Sequence, residues 1–362
     1  MTDCIYCAPT RVFALFEPRL TMTARRTRLL LSAALSGGLL LMAGCEAPAP
    51  ENEDNDVTVE TRNAMVTGAF ETAGRAESLI FLPNDDAPWT GLLASSLTGG
   101  GFDVYNIDGE TIISAAGPEL RGLAGVSNFA LRGETFPLLF GIDDMGALRG
   151  FVIVRETREV IELPLESEAA LSTAAGVCLF SQGIGYVELA VLGEDAEARI
   201  VRVRDAGGAG LSVEERAART LPFPARSCAA AEDDLLVAGP TAGLARVTPE
   251  SAQSAFAAGL SVADVSYTEL LGRPVALIAS AQTGLVSVYD ARSLELIVDV
   301  QFEDGLSAPA FERPTALAVT EANYGGMAFS SGIMAVYDAA DSSVKLVARE
   351  VLSRTVVSGD EA

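Results

Sequence analysis

The chain has 362 residues, 49 acidic and 25 basic, with no histidine and a single lysine, for a formal net charge of −24. Nucleic acid is excluded as a partner, because phosphate backbones are held by clustered lysine and arginine. Mechanisms that turn on an imidazole are excluded too, whether a Ser-His-Asp triad, a Cys-His dyad or a histidine-ligated zinc. At 49% hydrophobic and 20% charged, the composition is that of a globular protein long enough for two domains or one large repeat array.

In chain order, Arg25, Arg26 and Arg28 precede an uncharged run from Leu29 to Gly44, the charged and apolar regions of an export signal. The run falls short of the about 20 apolar residues that span a membrane. It closes in Leu41-Met42-Ala43-Gly44-Cys45, which resembles the bacterial lipoprotein signal. That resemblance implies removal of residues 1–44, with Met22 as a plausible true start, and acylation of Cys45. It implies a membrane partner through the lipid and a place in the cell envelope, in the periplasm or at the outer membrane. Removing residues 1–44 takes away two acids and five arginines, leaving 318 residues at −27. Residues 45–66 are then a lipidated cysteine and an acidic, proline-bearing segment with the composition of a disordered tether. Its ENEDND run lacks the sixth-position glycine and distal glutamate of a calcium loop, and reads as solvated. Residues 67–355 are expected to form the domain, with 356–362 as a tail.

Within that domain a tripeptide recurs at the end of short apolar strands, usually with a glycine four residues before its valine. The copies are Val104-Tyr105-Asn106, Val154-Arg155-Glu156, Val203-Arg204-Asp205, Val247-Thr248-Pro249, Val288-Tyr289-Asp290 and Val336-Tyr337-Asp338, at a mean spacing of about 46 residues. Leu92-Leu93-Ala94-Ser95, Leu235-Leu236-Val237-Ala238, Leu277-Ile278-Ala279-Ser280 and Met327-Ala328-Phe329-Ser330 are expected to open the matching hairpins. Asp108-Gly109 marks a tight antiparallel turn. No stretch sustains a 3.6-residue period, so helices should be few. Short strands at this period predict an all-β fold, a six-bladed β-propeller of four-stranded antiparallel blades, with a jelly roll or paired sandwiches as the alternative. The segment near Thr67–Leu82 and the strands near Val344–Val351 are expected to close the ring within one blade. Cys178 and Cys228 lie one period apart, so neighbouring blades can join them in a disulfide, and two buried free thiols are the other reading.

Read in order, several segments resemble the calcium-dependent β-propeller phytases, the 3-phytases that release phosphate from myo-inositol hexakisphosphate. Gly100 to Gly109 (GGFDVYNIDG) is similar to an early strand of that family, Gly176-Val177-Cys178-Leu179-Phe180 to its G-L-C-L-Y, and Ser227-Cys228 with Glu232-Asp233 to its E-G-C-V-A-D-D-E. Leu277–Ser280 through Asp290 is similar to L-I-A-S-S-Q-G with V-Y-D, and Thr315–Val319 to D-G-I-x-V. The resemblance covers about residues 68–350. It implies a phosphomonoester hydrolase in which acids from several blades hold calcium, while lysines and arginines grip phosphate.

Most positions that would carry this chemistry are altered. Ala76-Glu77-Ser78 stands for an acid cluster, Ser95–Thr98 for T-D-K-K, Gly239-Pro240 for paired glutamates and Glu312–Thr315 for D-T-D-G. What remains as calcium candidates is Glu232, Asp233, Asp143 and Asp144, which read equally as turn acids on solvated loops. Arg149, Arg226 and Arg313, with Arg121, are the phosphate-binding candidates, ordinary surface charges being the other reading. Lys345 lies in a closing strand and cannot replace several phosphate-binding lysines. The expectation is therefore a phytase-like propeller lipoprotein that has lost catalysis and serves as a binding scaffold for a small phosphorylated ligand, with an active calcium-dependent 3-phytase as the alternative.

Overall fold

The computed structural model describes residues 60–167, 173–208 and 210–357. The expected signal, Cys45 and most of the expected tether lie outside these residues. The unit from Val57 to Ala362 holds a ring of six antiparallel sheets, a six-bladed β-propeller.

Each blade is a meander that starts at the central axis. Blade 1 runs through Ala76–Leu82, Leu92–Leu97, Phe102–Tyr105 and Thr111–Ala115. Blade 2 is Arg121–Leu131, Glu134–Ile142, Leu148–Val154 and Glu159–Leu163. Blade 3 is Ala174–Gly183, Tyr186–Gly193, Glu197–Asp205 and Leu211–Thr220, and blade 4 is Ser227–Ala231, Asp234–Gly239, Gly243–Val247 and Ala255–Ala258. Blade 5 is Asp264–Leu270, Arg273–Ser280, Leu285–Asp290 and Leu296–Glu303. Blade 6 takes Pro314–Thr320, Ile333–Asp338 and Ser343–Ala348 from the end of the chain and Gly68–Glu71 from its beginning. That last strand pairs antiparallel with Ser343–Ala348 and closes the ring, whereas Ala76–Leu82, expected in the same blade, is the inner strand of blade 1.

The burial of each strand follows its place in the blade. Second strands lie between two neighbouring sheets and are apolar on both faces: Asp234–Gly239 (DLLVAG) is buried throughout. Outer strands alternate, as in Leu296–Glu303 (LIVDVQFE), whose last five residues switch between buried and open at each step. Apolar clusters fill all six seams between blades, from Leu82, Phe102 and Leu139 between blades 1 and 2 to Leu79, Leu93 and Tyr337 between blades 6 and 1. Burial is thus satisfied between sheets rather than at the axis, which leaves the axis open.

Inner strands run parallel around the ring, since their beginnings bond to one another and so do their ends. Leu123 N donates to Ser78 Oγ (3.1 Å) and Leu317 N to Asp264 Oδ2 (2.8 Å) near the beginnings, and Thr268 Oγ1 donates to Glu321 Oε1 (2.8 Å) near the ends. The propeller therefore has a start face, with the turns between second and third strands, and an end face, with the turns between first and second strands.

Several details differ from the expectation. Thr61–Met65, assigned to the tether, is a strand that pairs parallel with Leu296–Glu303, because that outer edge has free backbone groups to satisfy. It adds a parallel fifth strand outside the four-stranded antiparallel meander of blade 5, and Leu165–Ser167 does the same for blade 3. The sixth tripeptide is out of register. Five copies end the third strand of their blades, but Val336-Tyr337-Asp338 ends the second strand of blade 6. Met327–Ser330, expected as a strand, belongs to a connection over 321–332. Tyr324 anchors that connection by burying its ring against Phe81 and donating its hydroxyl to Leu92 O (3.0 Å), and Gly325 and Gly326 follow with positive φ. A helix, Arg349–Val357, follows the last strand, runs two residues past the expected domain limit and buries Leu352 and Val356 against blades 5 and 6.

Candidate functional site

All six inner strands line one cavity of about 560 Å³ along the axis. Its walls are built by close approach. Gly176 lies where a Cβ would come within 2.3 Å of Arg226 O, so only glycine lets blade 4 pack against blade 3 there. Two residues further along the same strands, a disulfide joins Cys178 to Cys228 with Cα atoms 5.8 Å apart. The parallel inner strands of adjacent blades carry the two cysteines at matching heights, which is why one period of separation suits the bond.

The first residue of an inner strand sits at the start-face mouth. Blade 2 places Arg121 there and blade 5 places Asp264; Arg226 immediately precedes the inner strand of blade 4, and Glu77 is second in that of blade 1. Asp264 is the focus of a hydrogen-bond network joining three blades. It accepts from the Ser227 hydroxyl on blade 4, from its neighbour Val265 N (2.9 Å) and from Leu317 N on blade 6 (2.8 Å). Burial pushes its carboxyl up to about 6, and the charge of Glu77 adds to the rise, while the three hydrogen bonds oppose it. Burial likewise raises the Tyr267 hydroxyl on the same wall. Arg121 and Arg226 stand on strands that flank blade 3, and among the described residues neither guanidinium has a hydrogen-bond or ion-pair partner.

The acids named from sequence are not brought together. Asp143 and Asp144 form the turn between the second and third strands of blade 2, on the start face, whereas Glu232 and Asp233 form the turn between the first and second strands of blade 4, on the end face. Asp143 is buried and committed: it accepts from Met145 N (3.0 Å), Ala147 N (2.8 Å) and Arg149 Nε (2.7 Å). Glu232 takes φ 58° in its tight turn, and its carboxylate lies 3.8 Å from the Arg292 guanidinium with both side chains exposed. Among the described residues no three aspartate, glutamate, cysteine or histidine side chains are grouped to hold a metal. The calcium cluster implied by the resemblance does not fit this donor set.

The arginines divide as well. Arg149 is tied to Asp143 and Glu162, and the hydrogen bond to Asp143 holds its guanidinium above the usual range. Arg313 donates to Ala339 O on its own blade and does not line the cavity. Of the named set, only Arg226 and Arg121 face the channel. Asp264 went unmarked in the sequence. Its signal is positional, an acid within Val262-Ala263-Asp264-Val265 where an inner strand begins, and it became readable only once the strand order was known.

No protein-family model matches the chain, and no curated protein matches its sequence. Its architecture is similar to solved structures of BBS1N in complex with ARL6DN. The lead-soaked crystal is 12% identical with a TM-score of 0.47, covering 75% of this chain and 78% of that one. The mercury-soaked crystal is 13% identical with a TM-score of 0.44, covering 70% and 74%. Nothing in these comparisons points to the phytases or to a lipoprotein signal, so both rest on the motifs alone. Among the described residues no helix is long and apolar enough to cross a membrane.

Proposed function

We propose that the protein is a binding module of the cell envelope, anchored through an acylated Cys45, whose start-face channel mouth takes a small phosphate-bearing ligand. The observation that carries this reading is the pair Arg121 and Arg226, which line a cavity of about 560 Å³ and whose guanidinium groups have no protein partner among the described residues. A guanidinium presents paired donors that match phosphate oxygens, and its charge persists at any physiological pH. Below them Val177, Val265 and Leu317 make the wall apolar and limit competition from water. Glu77 and Asp264 on the opposite arc favour a ligand that carries hydroxyl groups beside its phosphate. The ordered phytase-like motifs support a phosphorylated ligand. Hydrolysis is not part of the proposal, because the carboxylates that would gather calcium are divided between the two faces.

Calorimetric titration of residues 46–362 with myo-inositol hexakisphosphate and with orthophosphate tests it. Arg121→Ala and Arg226→Ala should each weaken binding about tenfold, the loss of one charge-assisted contact. Unchanged affinity in the double variant would refute the site. Phosphate release from phytate, measured on the same sample with and without calcium, should not exceed a blank; calcium-dependent release would replace the binding module with a phosphomonoesterase.

A further inference from the structure

The end face carries apolar side chains that its turns do not require. Leu271 takes φ 51° in the first turn of blade 5 and is 70% exposed. The equivalent turns of blades 2 and 4 hold Arg132 and Glu232 in the same left-handed conformation, so a polar residue meets the geometry and a leucine adds only exposed surface. In the same connection of blade 6 Met327 is 96% exposed, and in that of blade 1 Trp89 is 69% exposed. These three blades are consecutive around the ring, and their connections are joined. A Cβ at Gly325 would come within 3.3 Å of Trp89 Cβ, Tyr324 donates its hydroxyl to Leu92 O, and Glu321 accepts from Glu269 N (2.8 Å) close to Leu271 in the chain. Arg349 completes the link by donating to Ser331 O (2.9 Å) and Glu269 O. Ile184 projects from the same face in blade 3, whereas Met145, Leu306 and Met65 are exposed toward the other face.

The described chain begins at Glu60, on the outer edge of blade 5 beside the helix that follows blade 6. The Arg349–Val357 helix begins on the end face at Arg349, and its last turn is held by Arg62, which donates to Thr355 O (2.9 Å) and Val356 O (2.6 Å) and pairs with Glu60. Fourteen residues separate Cys45 from Glu60, so no conformation of that segment places them more than about 50 Å apart. An acyl group on Cys45 would hold the propeller within reach of a bilayer, where tethering turns the weak surface affinity of an exposed apolar patch into an intramolecular event.

We propose that the end face at blades 5, 6 and 1 rests on a lipid surface, with Leu271, Met327 and Trp89 at the boundary of headgroups and acyl chains and the channel mouth turned away from the membrane. This rests on the lipid-anchored reading of Cys45. Tryptophan favours that boundary, and binding there scales with the apolar area buried. Asp85 and Asp86 share the connection of Trp89, Glu269 lies two residues before Leu271 and Glu321 opens the connection of Met327, so the surface suits zwitterionic rather than anionic headgroups.

Trp89 is the single tryptophan of the chain, which makes its emission a reporter of this face alone. The exported, lipidated protein is reconstituted into phosphatidylethanolamine–phosphatidylcholine vesicles whose chains carry bromine. Trp89 emission should shift to the blue, be quenched by the bromines and be shielded from iodide. The double variant Leu271→Ser with Met327→Ser should lose most of that quenching, and residues 46–362 carrying it should partition about tenfold more weakly, the equivalent of part of two apolar side chains. Labelled palmitate on the wild type but not on Cys45→Ala tests the anchor separately. Label with Trp89 unquenched and open to iodide keeps the anchor and overturns the face. Absence of label with quenching of Trp89 in residues 46–362 removes the anchor and keeps the face.

Discussion

Asp264 is expected to make the propeller less stable as pH rises, and Asp264→Asn isolates the effect. Its carboxyl is raised from an ordinary 3.8 to about 6, first by burial and then by Glu77. A raised carboxyl favours the protonated form in the folded protein. The native state therefore holds a proton that the unfolded chain has released between about pH 4 and 6. Stability from this group is present in full below pH 4, falls as pH climbs through 6 and is flat above. A shift of about two units corresponds to about 3 kcal/mol, and because Asp264 lines an open channel the expected loss is about 1–2 kcal/mol. Five carboxylates held low in the fold (Glu60, Glu188, Asp205, Asp290 and Asp341) act in the opposite direction. The quantity to follow is thus the difference between wild type and variant in urea unfolding at pH 4, 5, 6 and 7. The amide keeps one acceptor oxygen for Ser227 and Val265 but faces Leu317 N with a donor, a constant penalty of about 1 kcal/mol at every pH. Wild type should thus exceed the variant clearly at pH 4, and the gap should close or reverse by pH 7. Parallel curves would refute the reasoning, since they would mean that the Asp264 carboxyl titrates alike in the folded and unfolded states.

Reducing the Cys178–Cys228 disulfide, or replacing both residues with serine, should cost up to about 4 kcal/mol for a separation of 50 residues; an unchanged melting temperature under reductant would contradict this. Among the described residues, the Tyr337 hydroxyl is buried without a hydrogen-bond partner in the seam between blades 6 and 1. Tyr337→Phe should therefore be neutral or stabilising, and a loss above about 1 kcal/mol would show that the hydroxyl is satisfied by a water. Calcium at about 1 mM, enough to fill the weak sites of extracellular modules, should leave the melting temperature unmoved. A rise abolished by Asp143→Asn would show that the carboxylate leaves Arg149 to bind the ion.

The repeat was legible because each blade must solve the same packing problem. A strand pressed between two sheets needs apolar residues on both faces, and that requirement recurs every blade, which is why Leu92–Ser95, Leu235–Ala238 and Leu277–Ser280 stood out. Its last copy misled for a physical reason as well. Ile333–Asp338 carries the same residues as a third strand, yet Tyr324 finds its burial site against Phe81 and holds the preceding segment as a loop, so the strand becomes the second of its blade. Thr61–Met65 lacked an apolar pattern of its own, because a parallel edge strand is held by backbone hydrogen bonds that leave no mark on side-chain identity.

Composition alone removed imidazole chemistry, since the chain has no histidine, and periodicity determined the six blades and the closing of the ring within one of them. Which charges act together was decided only by the tertiary structure. The acid pairs 143–144 and 232–233 are alike in sequence but sit at turns of different order, and the alternating direction of antiparallel strands sends such turns to opposite faces. The same geometry gathers Glu77, Arg121, Arg226 and Asp264, far apart in the chain, around one mouth, because parallel inner strands bring their first residues to a common level.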